Sequence, residues 1–138
     1  MFTETLFGNT KKALALLAES ELLADAYLYK SIFNINVLDL RDISAMKIDA
    51  IATRGMKRDF IDLYFICQRG TSLKKALSFY GRKYGKLSSN IVHIHKSLVY
   101  FVDAEIGSMP RMLKPCKWQE VKSFFEEEVK QLTAKLIN

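Results

Sequence analysis

Three cations and two carboxylates crowd one short stretch of this chain, at Lys47, Arg54, Arg58, Asp59 and Asp62. Helical spacing decides how they can meet. Asp59 and Asp62 are three residues apart and Lys47 and Arg54 seven apart, so each pair can lie on one face of a helix. If the two faces meet, the result is a network of charge-assisted hydrogen bonds between cations and carboxylates. Such a network has two uses. It can fix how two helices pack, or it can touch a substrate. The residue types alone leave both uses open.

Other residues with chemical potential give weaker patterns. His93 and His95 are two apart, which on a helix points them in different directions and disfavours chelation of one metal. Cys67 and Cys116 form no CxxC pair and read as packing residues, so no metal ligands are expected. From Leu63 to Val102 there is no Asp or Glu, whereas Arg69, Lys74, Lys75, Arg82, Lys83, Lys86 and Lys96 all fall inside that span of a chain with net charge +6. A basic block of this kind can attract a phosphate backbone by counterion release, with Lys74, Lys75, Arg82 and Lys83 as candidate nucleic-acid contacts, or can serve as a solvated face. Tyr80, Tyr84, Tyr100 and Phe101 lie in the same span, mostly at core spacing, with stacking on bases as the alternative.

The elements that must position these groups are mainly helical. With 138 residues, 49% of them hydrophobic, the chain fits one domain over residues 1–138 with a core of its own. It contains no apolar run long enough for a membrane span and no signal-peptide pattern, so a cytoplasmic protein without membrane association is expected. Asn9 or Thr10 can cap a helix to about Leu23, and the mixture of Tyr, Ile, Phe and Asn over residues 26–40 allows one or two short strands. Asp39 or Asp42 can cap the next helix, which carries Ile43, Met46, Ala50 and Ile51 and breaks at Gly55. A helix over about 57–68 comes next, with Phe60, Leu63, Tyr64 and Cys67 on one side and a stop at Gly70. Thr71 or Ser72 restarts helix and Gly85 ends it; Ser88 or Ser89 can cap another, and Gly107, Pro110 and Pro115 make a loop of the stretch after Asp103. The last helix opens near Lys117 with an apolar stripe of Trp118, Val121, Phe125, Val129, Leu132 and Leu136, and with Lys122 and Glu126 spaced for pairing. The predicted fold is a bundle of five or six helices.

Around the charged cluster the sequence resembles the AbiEii/AbiGii family of nucleotidyltransferase toxins. The family's carboxy-terminal motif, a Lys, a helical interval to an Arg, then Arg-Asp and a further Asp, is matched here by Lys47, Arg54, Arg58-Asp59 and Asp62. The preceding Asp39-Leu-Arg-Asp-Ile-Ser-Ala-Met, the Ser97 to Glu105 stretch, Pro110 and the Trp118 helix are also similar, so the resemblance covers about residues 37–130. It implies that Lys47, with Arg54 and Arg58, contacts nucleotide phosphate, and that Asp59 and Asp62 assist catalysis or positioning.

The same resemblance exposes a departure. The family's chemistry needs a Gly-Gly or Gly-Ser turn to admit phosphates, followed by an Asp-x-Asp pair to hold divalent metal. Gly107-Ser108 has no such pair behind it, Gly8-Asn9 leads into a predicted helix, and Asp39 and Asp42 are three apart. Residues 9–28 resemble the entrance to the glycine turn, as though an internal block had been deleted between about Tyr29 and Val37. The expectation is therefore a truncated protein with no catalytic residues and no cofactor acting alone. Magnesium and a nucleoside triphosphate are implied if a partner chain completes the site. A homodimer, a cognate antitoxin, a catalytic partner chain and RNA are the partners that this reading admits.

Overall fold

A computed structural model describes residues 40–112 and 114–137. Among the described residues there are six helices and no strand: α1 (Leu40–Thr53), α2 (Lys57–Gln68), α3 (Leu73–Tyr84), α4 (Leu87–Ser97), α5 (Val102–Ile106) and α6 (Trp118–Ile137). The protein is mainly α, as its periodicity implies. The helix expected over about 9–23 and, apart from helical Leu40, the strand-prone stretch near 26–40 lie outside the described residues.

Local chemistry explains most of the boundaries. Asp42 sits in the first turn of α1, where the helix dipole favours a negative charge. The helix closes at Gly55, whose φ of 58° is left-handed and whose N–H donates to the Ala50 carbonyl at 3.0 Å; a side chain is disfavoured in that conformation. Ser72 caps α3 by accepting the Lys75 N–H at 3.2 Å, and Gly85 ends it with φ 66°. At α4 the expected cap is different. The helix starts at Leu87, so Ser88 and Ser89 lie inside its first turn, and Ser89 Oγ donates back to the Lys86 carbonyl at 3.1 Å. Asn90, at φ −119° and ψ 15°, puts a kink just after it. The stretch after Asp103 also departs from expectation: Asp103, Ala104 and Glu105 belong to the short α5, and the loop begins only at Gly107.

Helix α1 packs against α2, α3 and α4, while α2 also carries α5 and α6. The core that joins them contains Ile48, Phe60, Leu63, Leu73, Leu77, Ile94, Leu98, Val121 and Phe125, all buried. Phe60 is its aromatic centre. Its ring centroid lies 5.2 Å from Phe101, 6.0 Å from Trp118 and 5.4 Å from Phe125, within the range in which tilted and edge-on rings attract. Because Phe60 follows Asp59 directly, the residue that pins α2 into the core also fixes where the charged cluster stands.

Candidate functional site

The α1–α2 corner brings together four of the five charged residues that the sequence groups there. Lys47 comes from the middle of α1, Arg54 from the turn just after it, and Asp59 and Asp62 from the first two turns of α2. The left-handed Gly55 turns the chain tightly enough for the two helices to pack side by side.

Asp59 is fully buried and heavily committed. Its Oδ2 accepts from Arg54 Nε at 2.9 Å, and its Oδ1 accepts from Arg54 Nη2 at 2.8 Å. This is the bidentate geometry that a guanidinium provides and an ammonium does not. Oδ2 also accepts the Met56 backbone N–H at 3.3 Å, satisfying one of the orphan donors at the start of α2. The Arg54 guanidinium is held above its ordinary pKa, first by its hydrogen bond to Asp59, with burial opposing.

Asp62 is held differently. Lys47 Nζ lies 2.7 Å from its Oδ2 and 3.8 Å from Asp59 Oδ1. Lys47 is nearly buried, whereas the Asp62 side chain keeps 28% of its surface exposed. Burial nevertheless pushes the Asp62 carboxyl above the ordinary aspartate range, with attraction from Lys47 opposing it. Solvent reaches part of the side chain, but the group still gives up hydration beside the core, and a cation must compensate for that loss.

Arg58 departs from this pattern. It is exposed, and its guanidinium reaches Asp62 only as a favourable charge nearby. The cluster is thus a fork between part-exposed Arg54 and buried Asp59, a pair between buried Lys47 and part-exposed Asp62, and an outlying Arg58. It does not suit a divalent metal. Both carboxylates already face cations at close range, and an added dication would meet the charges of Lys47 and Arg54. No group of three or more metal-ligating side chains occurs among the described residues.

The remaining candidates separate. His93 is exposed while His95 is buried, with Nδ1 3.1 Å from Thr133 Oγ1 on α6. Cys67 is half-buried and its thiol is pushed up to about 12 by burial, which suits packing and disfavours nucleophilic chemistry. Lys74, Lys75, Arg82 and Lys83 are all exposed. Arg82 sits 5.6 Å above the Phe79 ring, and Lys83 lies 3.6 Å from Asp42 of α1.

A second polar cluster is one that residue spacing does not signal. Glu105 Oε1 accepts from Trp118 Nε1 at 2.9 Å and lies 2.8 Å from Lys122 Nζ. Lys57 and Lys122 lie 5.2 and 6.0 Å from the Trp118 ring centroid, within reach of cation–π attraction. This arrangement fastens α5 to the start of α6. It replaces the expected Lys122–Glu126 pairing.

The family profile described as "Nucleotidyl transferase AbiEii toxin, Type IV TA system" matches residues 4–136. The chain belongs to this AbiEii family. The match takes in residues 4–36 as well as the stretch from 37 to 130 that carries the sequence resemblance. A curated relative, the uncharacterized protein aq_aa25 of Aquifex aeolicus (strain VF5), is 41% identical over 92 residues, which cover 66% of this chain and 43% of that protein. The AbiEii-family chain therefore spans less than half the length of the relative it matches. No solved structure gives a significant match. Among the described residues no helix is long and apolar enough to cross a membrane.

Proposed function

We propose that this chain is a nucleotidyltransferase-like member of the AbiEii toxin family that does not transfer nucleotides by itself. One observation carries the reading: the family match runs over residues 4–136, yet the 138 residues contain no glycine turn followed by Asp-x-Asp. A deletion inside the family's catalytic portion accounts for both. In this reading Lys47, aided by Arg54 and Arg58, is the phosphate-facing wall of a nucleotide site, and Asp59 and Asp62 set its geometry. Magnesium would be held by carboxylates of a partner chain, because those of the cluster are engaged by cations. The family's toxin–antitoxin character supplies the reason to expect a cognate antitoxin and a cytoplasmic setting.

The test is direct. Purified chain incubated with each labelled nucleoside triphosphate, magnesium and bulk transfer RNA is expected to leave the label unincorporated. Robust labelling by the chain alone refutes the reading. If a second polypeptide bearing the glycine turn and Asp-x-Asp restores labelling, and Lys47→Ala abolishes it, this chain is the helical part of a two-chain enzyme.

A second reading rests on α3. Lys74, Lys75, Arg82 and Lys83 are exposed on one short helix inside a span without acidic residues, a footprint suited to RNA backbone. Affinity for RNA is then expected to fall steeply with salt and to be largely lost on charge reversal at Lys74, Lys75 and Arg82. Salt-independent binding disposes of it. Self-association belongs to the same proposal, since Val99, Tyr100, Val102 and Ile106 expose apolar surface; a monomeric mass by light scattering across concentrations argues against a homodimer.

A further inference from the structure

The two carboxylates of the α1–α2 corner are not equivalent. Asp59 is sealed from solvent, gripped through both oxygens by Arg54 and tied to the Met56 backbone. Asp62 is part-exposed, and its short 2.7 Å contact is to the ammonium of Lys47. Removing Asp59 from its partners would dismantle the turn, whereas Asp62 can swing toward solvent by rotating one side chain. Arg58 stands one helical turn before Asp62 on the exposed side of α2, so a second cation waits where an arriving anion would enter.

We infer that Asp62 is an internal competitor for Lys47: its carboxylate occupies the ammonium in place of a phosphate, and a polyphosphate binds by displacing Asp62 while the Arg54–Asp59 fork stays closed. The inference rests on the phosphate-wall reading of Lys47 and adds a restraint to it. In the ground state the ammonium is engaged, so only molecules in which Asp62 has withdrawn are competent to bind. Observed affinity is then reduced by that competent fraction. The displaced carboxylate remains close to Arg58, which limits the cost of moving it. Asp62 acts in this scheme as a gate on the anion site, distinct from a positioning role in which its charge would help ligand binding.

The two roles predict opposite signs. Calorimetric titration of the full chain with inorganic triphosphate is expected to show Asp62→Asn binding about tenfold more tightly than the unmodified protein, since the asparagine keeps the shape and removes the competing charge. Asp62→Glu, which restores a carboxylate, should return affinity toward the original value. Asp49→Asn removes a negative charge from α1 without touching Lys47's carboxylate partners and should change affinity by less than about twofold, because charges that do not contact the anion are screened. Carboxyl carbon NMR of the unmodified protein gives a readout that does not depend on any variant folding: triphosphate should move the Asp62 resonance and leave Asp59 in place. Binding that is equal or weaker in Asp62→Asn, or a stationary Asp62 resonance in a protein that does bind, overturns the competitor inference while the phosphate-wall reading survives. Absence of triphosphate binding in every form overturns both.

Discussion

Arg54 spans the Gly55 turn to hold both oxygens of Asp59, at 2.9 and 2.8 Å. Through that one fork the end of α1 and the start of α2 are fastened as a unit, and the Asp59 carboxylate is kept in a place that water does not reach. Asp59→Ala should therefore destabilise the fold by about 2–3 kcal/mol, because it removes the acceptor of Arg54 and of the Met56 N–H while Lys47 keeps Asp62. Arg54→Lys keeps the charge and loses the fork, so its loss should be smaller, about 1–2 kcal/mol. Urea unfolding followed by circular dichroism measures both. An Asp59→Ala protein as stable as the parent would show that the fork contributes nothing to the corner.

Phe60 tests whether the charged corner depends on the core beneath it. Truncating Phe60 to Ala removes a fully buried ring that meets Phe101, Trp118 and Phe125. The expected loss is about 3–5 kcal/mol, with Phe60→Leu costing less because it refills part of the space. Trp118 fluorescence should report the change at once, since its ring is one of the three. An unchanged Trp118 spectrum in a destabilised Phe60→Ala variant would contradict this packing.

Two glycines separate backbone strain from crowding. Gly85 has φ 66° and open space where a Cβ would go, so Gly85→Ala should cost about 1 kcal/mol from conformation alone. At Gly55, φ is 58° and a Cβ would sit 3.3 Å from the Ile51 carbonyl oxygen. Gly55→Ala therefore adds a steric penalty to the same strain and should lose about 2 kcal/mol or more. The order of the two thermal midpoints, Gly55→Ala below Gly85→Ala, is the measurement.

His95 gives a pH dependence whose sign is fixed. Burial holds its imidazole below the ordinary histidine pKa, so the unfolded chain takes up a proton more readily than the folded one. Stability from this group is complete above the unfolded value of about 6.5 and declines as the pH falls below it, until the folded imidazole also protonates. His95→Gln should flatten that slope in denaturant midpoints measured from pH 7.5 to 5.

By itself the sequence determined the helical character, most helix boundaries and four of the five residues assigned to the charged cluster. Those properties are local: apolar residues recur every three or four positions, Ser72 can cap only the helix directly after it, and Gly55 and Gly85 take left-handed φ cheaply. Even the meeting of Lys47 and Arg54 with Asp59 and Asp62 was legible, because one short turn joins the two helices that bear them. Only the tertiary structure decided which cation takes which carboxylate. Arg54 claims Asp59, Lys47 leans to Asp62, and Arg58 is left at the surface. It also sent Lys122 across to Glu105 in place of Glu126 one turn away, and buried His95 against Thr133 while His93 faces solvent. Side chains choose partners by distance and burial in the packed molecule, and those distances are set by how the helices pack on one another, so no local spacing rule could have supplied them.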